Sequence, residues 1–402
     1  MDFKINALLS VTLFALASAN AQAYQSEIIY NKKGEAAFEL RIYNPGDGIY
    51  DLNNPAGRES TFSLDENAHR RIRAGLERWA EVLTLKPGYR PGIINLGTYD
   101  DYIASAYSNN INDEDDPSGI KITALQAALL NKLKENDFKQ AHAVILIGSQ
   151  PLDTLPVTPS LLPLTDQVDY NAVMFHELGH TLGITNTIGD WYGSGTATPY
   201  FYSYLNRWAT GLRDDNGKPA KPYQAVLCVP CNNPYDPDAF DLRKNQGYFT
   251  GQHVQEVLDG AMPGIPVSIL YDQNDPQASV DPDYMSHIEL RNSLMSHQPY
   301  RNYTGFMEAE LAALQDLGLE IDRRNFFGYS VYGNDATLTN NKGFFARNAE
   351  GTAYTCPANT TRPPRAWDCT STASATPSPK PPICSAPAPA GWACAWTAAR
   401  TH

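Results

Sequence analysis

The residues best suited to chemistry lie in one stretch, Phe175-His176-Glu177-Leu178-Gly179-His180-Thr181-Leu182-Gly183-Ile184. On an α-helix, positions four apart differ by only about 40° in direction. His176 and His180 then project from one face and can share a single metal ion. Glu177 lies one step round, where a carboxylate can take a proton from metal-activated water. Zinc (Zn2+) is the natural occupant, because this borderline-soft ion is satisfied by imidazole nitrogen. The alternative is a helix that carries two unrelated histidines. It is disfavoured because the pair follows a buried strand, sits on an amphipathic helix and ends at a glycine.

A catalytic zinc needs a third protein ligand and one open position. A nearby glutamate is excluded, since no Glu occurs between Glu177 and Glu256. Three residues past Gly183 stands Asn186, whose neutral amide is a poor zinc ligand, and Asp190 follows shortly after. Farther along, His287 and His297 are both available.

The segment Met285-Ser286-His287-Ile288-Glu289-Leu290-Arg291-Asn292-Ser293-Leu294-Met295-Ser296-His297, followed by Gln315-Asp316-Leu317-Gly318, resembles the leishmanolysin-like branch of the metzincin zinc peptidases. In that branch an insertion separates the H-E-x-x-H-x-x-G motif from the third histidine. The resemblance implies His287 as third ligand, Met295 as the methionine of a Met-turn beneath the metal, and a zincin-like fold. It covers about 50 residues, and the family's dense cysteine pattern is missing. It implies a zinc endopeptidase with Glu177 as general base and a protein or peptide as substrate. Tyr300 and Tyr303 are candidate oxyanion donors or simple packing residues.

Several elements must position these groups. Residues 26–60 mix short strand-like runs with turns. A helix is expected over Leu64–Leu85, capped by Ser63 with Glu66 three places on, and with Ile72, Leu76, Trp79 and Leu83 on one face. Gly92–Leu96 reads as a strand, Ile120–Leu133 as a helix and Ala141–Ile147 as a buried central strand. The metal-binding helix is expected over Asp169–Leu182, stopped by Gly183, and a last helix over Thr304–Leu317, stopped by Gly318. This order fits an α+β domain with a mostly buried sheet. The expected organisation is a signal peptide over 1–23, an N-terminal subdomain over 24–183 and an inserted subdomain over 184–284. A C-terminal subdomain over 285–335 and an irregular tail over 336–402 complete it.

The apolar run Ala7–Ala19, followed by Ala-x-Ala sites ending at Ala21 and Ala23, reads as a secretory signal. The mature chain is therefore expected outside the cytoplasm or at a bacterial cell surface, with no transmembrane helix. A net charge of −13 repels phosphate backbones and argues against nucleic acid as partner. Cys228 and Cys231 suggest a local disulfide, since a zinc ribbon needs a second pair. Asp113-Glu114-Asp115-Asp116 reads as a solvated acidic turn rather than a calcium loop. His69, His142 and His253 show no partner pattern.

The tail from Cys356 onward has four cysteines among Pro, Ala, Thr and Ser. The stretch 325–333 is similar to that of bacterial autotransporter passengers carrying this peptidase type. That similarity implies a longer chain toward an outer-membrane barrel, which truncation would have removed. Trp367–Thr376 also admits codons whose shifted frame reads as strand and turn, which permits an out-of-frame tail. Two other functions compete with the endopeptidase: a catalytically weak zincin-scaffold adhesin, and a zinc hydrolase acting on a non-peptide bond.

Overall fold

A computed structural model of the chain describes residues 24–31, 33–51, 54–100, 104–149, 170–189, 199–228, 236–258, 262–267, 285–290, 293–296 and 306–321, with four short strands between 337 and 372. The elements in chain order are β1 (Tyr24–Tyr30), β2 (Ala36–Tyr43), β3 (Gly48–Asp51), β4 (Asn54–Glu59), α1 (Glu66–Val82), β5 (Gly92–Tyr99), β6 (Ala104–Tyr107), β7 (Asn110–Asn112), β8 (Lys121–Thr123), α2 (Ala124–Leu129), β9 (Ala143–Gly148) and α3 (Tyr170–Thr181). After them come α4 (Arg207–Gly211), α5 (Gln252–Leu258) and α6 (Glu308–Asp316), with two-residue strand pairings around α4 and α5. The expected signal peptide, the insert's end, Asp190, Cys231, His297, Tyr300, Tyr303 and the stretch 325–333 lie outside the described residues. So does the tail apart from its short strands.

The main sheet has the order β1-β2-β5-β9-β6. The pairs β2–β5 and β5–β9 are parallel, while β1 and β6 run antiparallel to their neighbours. The result is a mixed α+β arrangement. Alternation along the strands assigns each residue to a face. Ala143, Ile145, Ile147, Ile94, Leu96, Phe38 and Leu40 join the large core with the helices. Val144 and Leu146 face the other way, into a small cluster with Tyr43 and Ile49. Ile49, from the β3–β4 hairpin, lies over Gly97, where an added Cβ would meet its Cδ1 at 1.9 Å. Both faces of β9 are covered, which is why its sequence is an unbroken apolar run.

Helix boundaries follow local hydrogen-bond chemistry. Helix α1 is capped by Asp65, whose side chain accepts the Ala68 N–H at 2.7 Å, and not by Ser63. Leu83 ends it in extended backbone, with Ile72, Leu76, Trp79 and Leu83 all buried as expected. The helix expected over Ile120–Leu133 is shorter. Lys121–Thr123 pair as a strand with β7, and Thr123 then opens α2 through a capping box with Gln126. Asn131, in the left-handed region at φ 58°, follows the helix and turns the chain away.

Helix α3 departs from simple amphipathicity. Ala172 to Gly179 are all buried, while Tyr170 at the start and His180 near the end are half-buried. A helix apolar on every side belongs in the interior. Here it lies among α1, β6, β9 and the segment around residue 294. Trp79 of α1 donates its indole N–H to the Phe175 carbonyl at 3.0 Å, and both rings pack against Phe306 just before α6. The last helix starts at Glu308 rather than Thr304 and ends before Gly318, which has φ 91°.

Candidate metal centre

His176, His180 and His287 converge, with one ligand atom from each within 4.8 Å of the others. The ring centroids are 4.6 Å apart for His176–His180, 5.2 Å for His176–His287 and 4.9 Å for His180–His287. This is the only such His/Cys/Asp/Glu group among the described residues.

The backbone sets the orientation of the two helical rings. His176 donates its Nδ1–H to the Leu294 carbonyl at 2.7 Å, and His180 donates its Nδ1–H to the Ile184 carbonyl at 2.8 Å. A carbonyl can only accept, so in each neutral ring the proton sits on Nδ1 and Nε2 carries a lone pair. Those two Nε2 atoms face each other at 3.0 Å. With no proton to share, the two lone pairs repel unless a cation lies beside them. Two nitrogens each bound to one tetrahedral zinc at 2.0–2.1 Å would stand about 3.3 Å apart. The donor set and its tautomers therefore fit a zinc-type ion.

Each carbonyl is placed by local sequence. Gly183, at φ 113°, reverses the chain after α3, and the Ile184 N–H returns to the Gly179 carbonyl at 3.2 Å. This is a glycine C-cap of the kind that closes helix ends. It brings the next carbonyl, that of Ile184, back to His180. A Cβ at Gly183 would lie 2.4 Å from the Gln126 amide, so α2 presses on the same turn. Leu294 belongs to a tight turn over residues 293–296 that is tied to His287's own segment, with Ile288 N–H donating to the Met295 carbonyl at 3.0 Å. Upstream of His287, Trp208 of α4 donates its indole N–H to the Met285 carbonyl at 2.7 Å.

Met295 is buried beneath the helix, and its sulfur would be 2.2 Å from a Cβ at Gly179. Glycine at 179 is therefore what lets the methionine approach the helix so closely beside its metal-binding face. Glu177 is buried beside them on α3.

Other candidates have different employment. The Asn186 Oδ1 accepts the Ile188 N–H at 2.7 Å, and its N–H reaches Ser286 Oγ at 3.1 Å. Its amide oxygen is thus engaged in its own turn. The acidic run 113–116 is more than a solvated turn. Asp113 is buried and pairs with Lys132 and, at 2.6 Å, with Arg207 of α4, which also donates to the Leu317 carbonyl at 3.0 Å. Burial pushes the Asp113 carboxyl up, but Lys132, the Asp115 N–H and Arg207 together outweigh it and hold the group below its ordinary range. Glu114 pairs with Lys134 at 2.6 Å, so the run is an ion-pair knot. His69 meets Glu27 at 2.9 Å and His253 meets Glu256 at 3.2 Å. Cys228 is held in a disulfide whose other half lies outside the described residues.

Sequence reasoning missed Glu310. This fully enclosed acid in the first turn of α6 accepts from Ser293, Leu294 and Met307. Burial pushes its carboxyl up to about 7, against the pull of those donors. The signal was an acid inside the apolar run Phe306-Met307-Glu308-Ala309-Glu310-Leu311-Ala312. The roles of the Leu294 and Ile184 carbonyls and of Trp208 also went unseen, the first two because they act through main-chain atoms. Comparison with protein-family models, with curated proteins and with solved structures yields no match.

Proposed function

We propose that this chain is an exported zinc-dependent endopeptidase, with His176, His180 and His287 as ligands and Glu177 as general base. One observation carries the reading: two carbonyl-locked imidazoles aim their Nε2 lone pairs at a common point, and a third imidazole comes within 4.8 Å. When bound there, zinc supplies Lewis-acid polarisation of a carbonyl and lowers the pKa of water.

The chain's own residues do the rest. Glu177 follows the first ligand directly on α3, so its carboxylate is held beside the coordination point. It accepts the proton of the attacking water and returns it to the nitrogen of the departing amine. Its burial strengthens that electrostatic role, because charges interact more strongly away from bulk water. Met295 and the 293–296 turn floor the site and hold its shape. The disulfide at Cys228 supports an oxidising compartment. Among the described residues no helix is long and apolar enough to cross a membrane.

The test is Glu177→Ala. Casein hydrolysis is expected to fall by about 10²–10⁴-fold, the usual size of a lost general base. Zinc content is expected to stay near that of the parent protein. Retained turnover in this variant overturns the assignment. A chelator is expected to abolish hydrolysis in the parent protein and excess zinc to restore it. A chain that binds zinc but cleaves no peptide in a broad library supports the adhesin reading instead.

A further inference from the structure

Glu310 is the third residue of α6 and is 1% exposed. Its Oε2 accepts the Met307 N–H at 2.8 Å, which closes the first turn of its own helix. Its Oε1 points away from the helix and meets three donors of one tight turn: the Ser293 hydroxyl at 2.5 Å, the Leu294 N–H at 2.6 Å and the Met295 N–H at 3.3 Å. A helix start needs only the first of these bonds. Burying an acid is costly unless several hydrogen bonds compensate it, and here three of the four come from residues 293–295.

That turn has one visible task. The Leu294 N–H is gripped by Glu310, and the carbonyl of the same residue accepts the His176 Nδ1–H at 2.7 Å. Met295, next along, fills the space over Gly179. A single residue therefore separates the buried carboxyl from the ring it steadies. We propose that Glu310 is a positioning residue of the metal centre: it fixes the 293–295 turn so that the Leu294 carbonyl keeps His176 in the Nδ1–H tautomer, with Nε2 directed at the ion. This inference rests on the zinc reading above.

Glu310→Gln keeps the volume but puts an NH₂ where a donor or backbone N–H now finds an oxygen. Loss of an outer partner of a metal-ligating histidine typically weakens metal binding about 10–100-fold, and zinc affinity is expected to fall by that factor. The readouts are the zinc Kd, from competition with a chromophoric chelator, and the ¹⁵N shifts of histidine-labelled metal-free protein. The His176 signal is identified by its loss in His176→Gln. In Glu310→Gln that signal is expected to move toward a mixture of tautomers.

Leu311→Ala, which truncates a buried apolar side chain next to Glu310 on α6, controls for simple destabilisation. It is expected to lower the Tm while leaving the tautomer and zinc Kd unchanged. If Glu310→Gln does not fold, Ser293→Ala takes its place, with a smaller change in the same direction expected. An unchanged zinc Kd and tautomer in the substituted protein overturn the proposal, as does an equal loss of affinity in Leu311→Ala. A parent protein that fails to bind zinc sinks the functional reading itself, which is a separate outcome.

Discussion

At the scale of single residues, the proposed metal centre depends on which ring nitrogen holds the proton. Two carbonyl oxygens decide that for His176 and His180, so the helix presents lone pairs rather than N–H groups. His287 completes the set from far along the chain. Replacing it by Ala removes one of the three proposed ligands, and zinc is expected to be lost on dialysis against a mild chelator that the parent protein resists. Equal zinc content in the two proteins by atomic emission would exclude residue 287 as a ligand. The shared face of His176 and His180 was legible because its geometry is local: 3.6 residues per turn converts the spacing directly into it. The proximity of His287 rested on a resemblance in the residues around it, since no local rule links positions 180 and 287. The Leu294 carbonyl was invisible, because every residue type carries the same carbonyl.

At the scale of elements, α3 is held by its neighbours rather than by its own amphipathicity. Gly179 is a sensitive point of that packing. Alanine there gains about 1 kcal/mol of helix propensity. It also drives a methyl group to 2.2 Å from the Met295 sulfur, and overpacking costs about 1–3 kcal/mol. The second effect is the larger, so Gly179→Ala is expected to lower the midpoint of urea unfolding. Trp208→Phe removes the indole N–H from the Met285 carbonyl but keeps the ring stacked on Phe249, now 4.1 Å away. A buried carbonyl left without its donor costs about 1–3 kcal/mol. Lower stability together with weaker zinc binding is expected, since residues 285–287 lose their anchor. The helix ends at Gly183 and Gly318 could be read from the sequence, because a positive φ favours glycine. The start of α1 was misplaced by two residues, since Ser63 and Asp65 are both good caps and only tertiary packing chooses between them. The helix at 120–133 was overextended because its first residues are claimed by β7.

At the scale of the whole molecule, acid sensitivity has an identifiable source beneath the sheet. His142 is buried, and its Nδ1 accepts the Ile93 N–H at 2.9 Å. Burial lowers its pKa from 6.5 to about 4. Between those values the unfolded chain binds a proton that the folded chain refuses. The neutral ring's contribution is therefore complete above pH 6.5 and drains away as the pH falls toward 4, at up to about 1.4 kcal/mol per unit. His142→Asn keeps an acceptor for Ile93, and metal-free protein carrying it is expected to show a flatter loss of Tm over that range. A slope identical to the parent's would assign the acid limb to other groups.

The separation of the three imidazoles along the polypeptide has a further consequence for biosynthesis. Two of them sit one helical turn apart and are ready as soon as that turn winds, whereas the third arrives only after a very long loop has closed, a step that carries a real entropic toll. A half-made or misfolded copy thus offers only the two helical rings and lacks the floor under them. The three-ring arrangement is therefore a product of the completed fold, and it cannot precede the packing that delivers residue 287 to the helix.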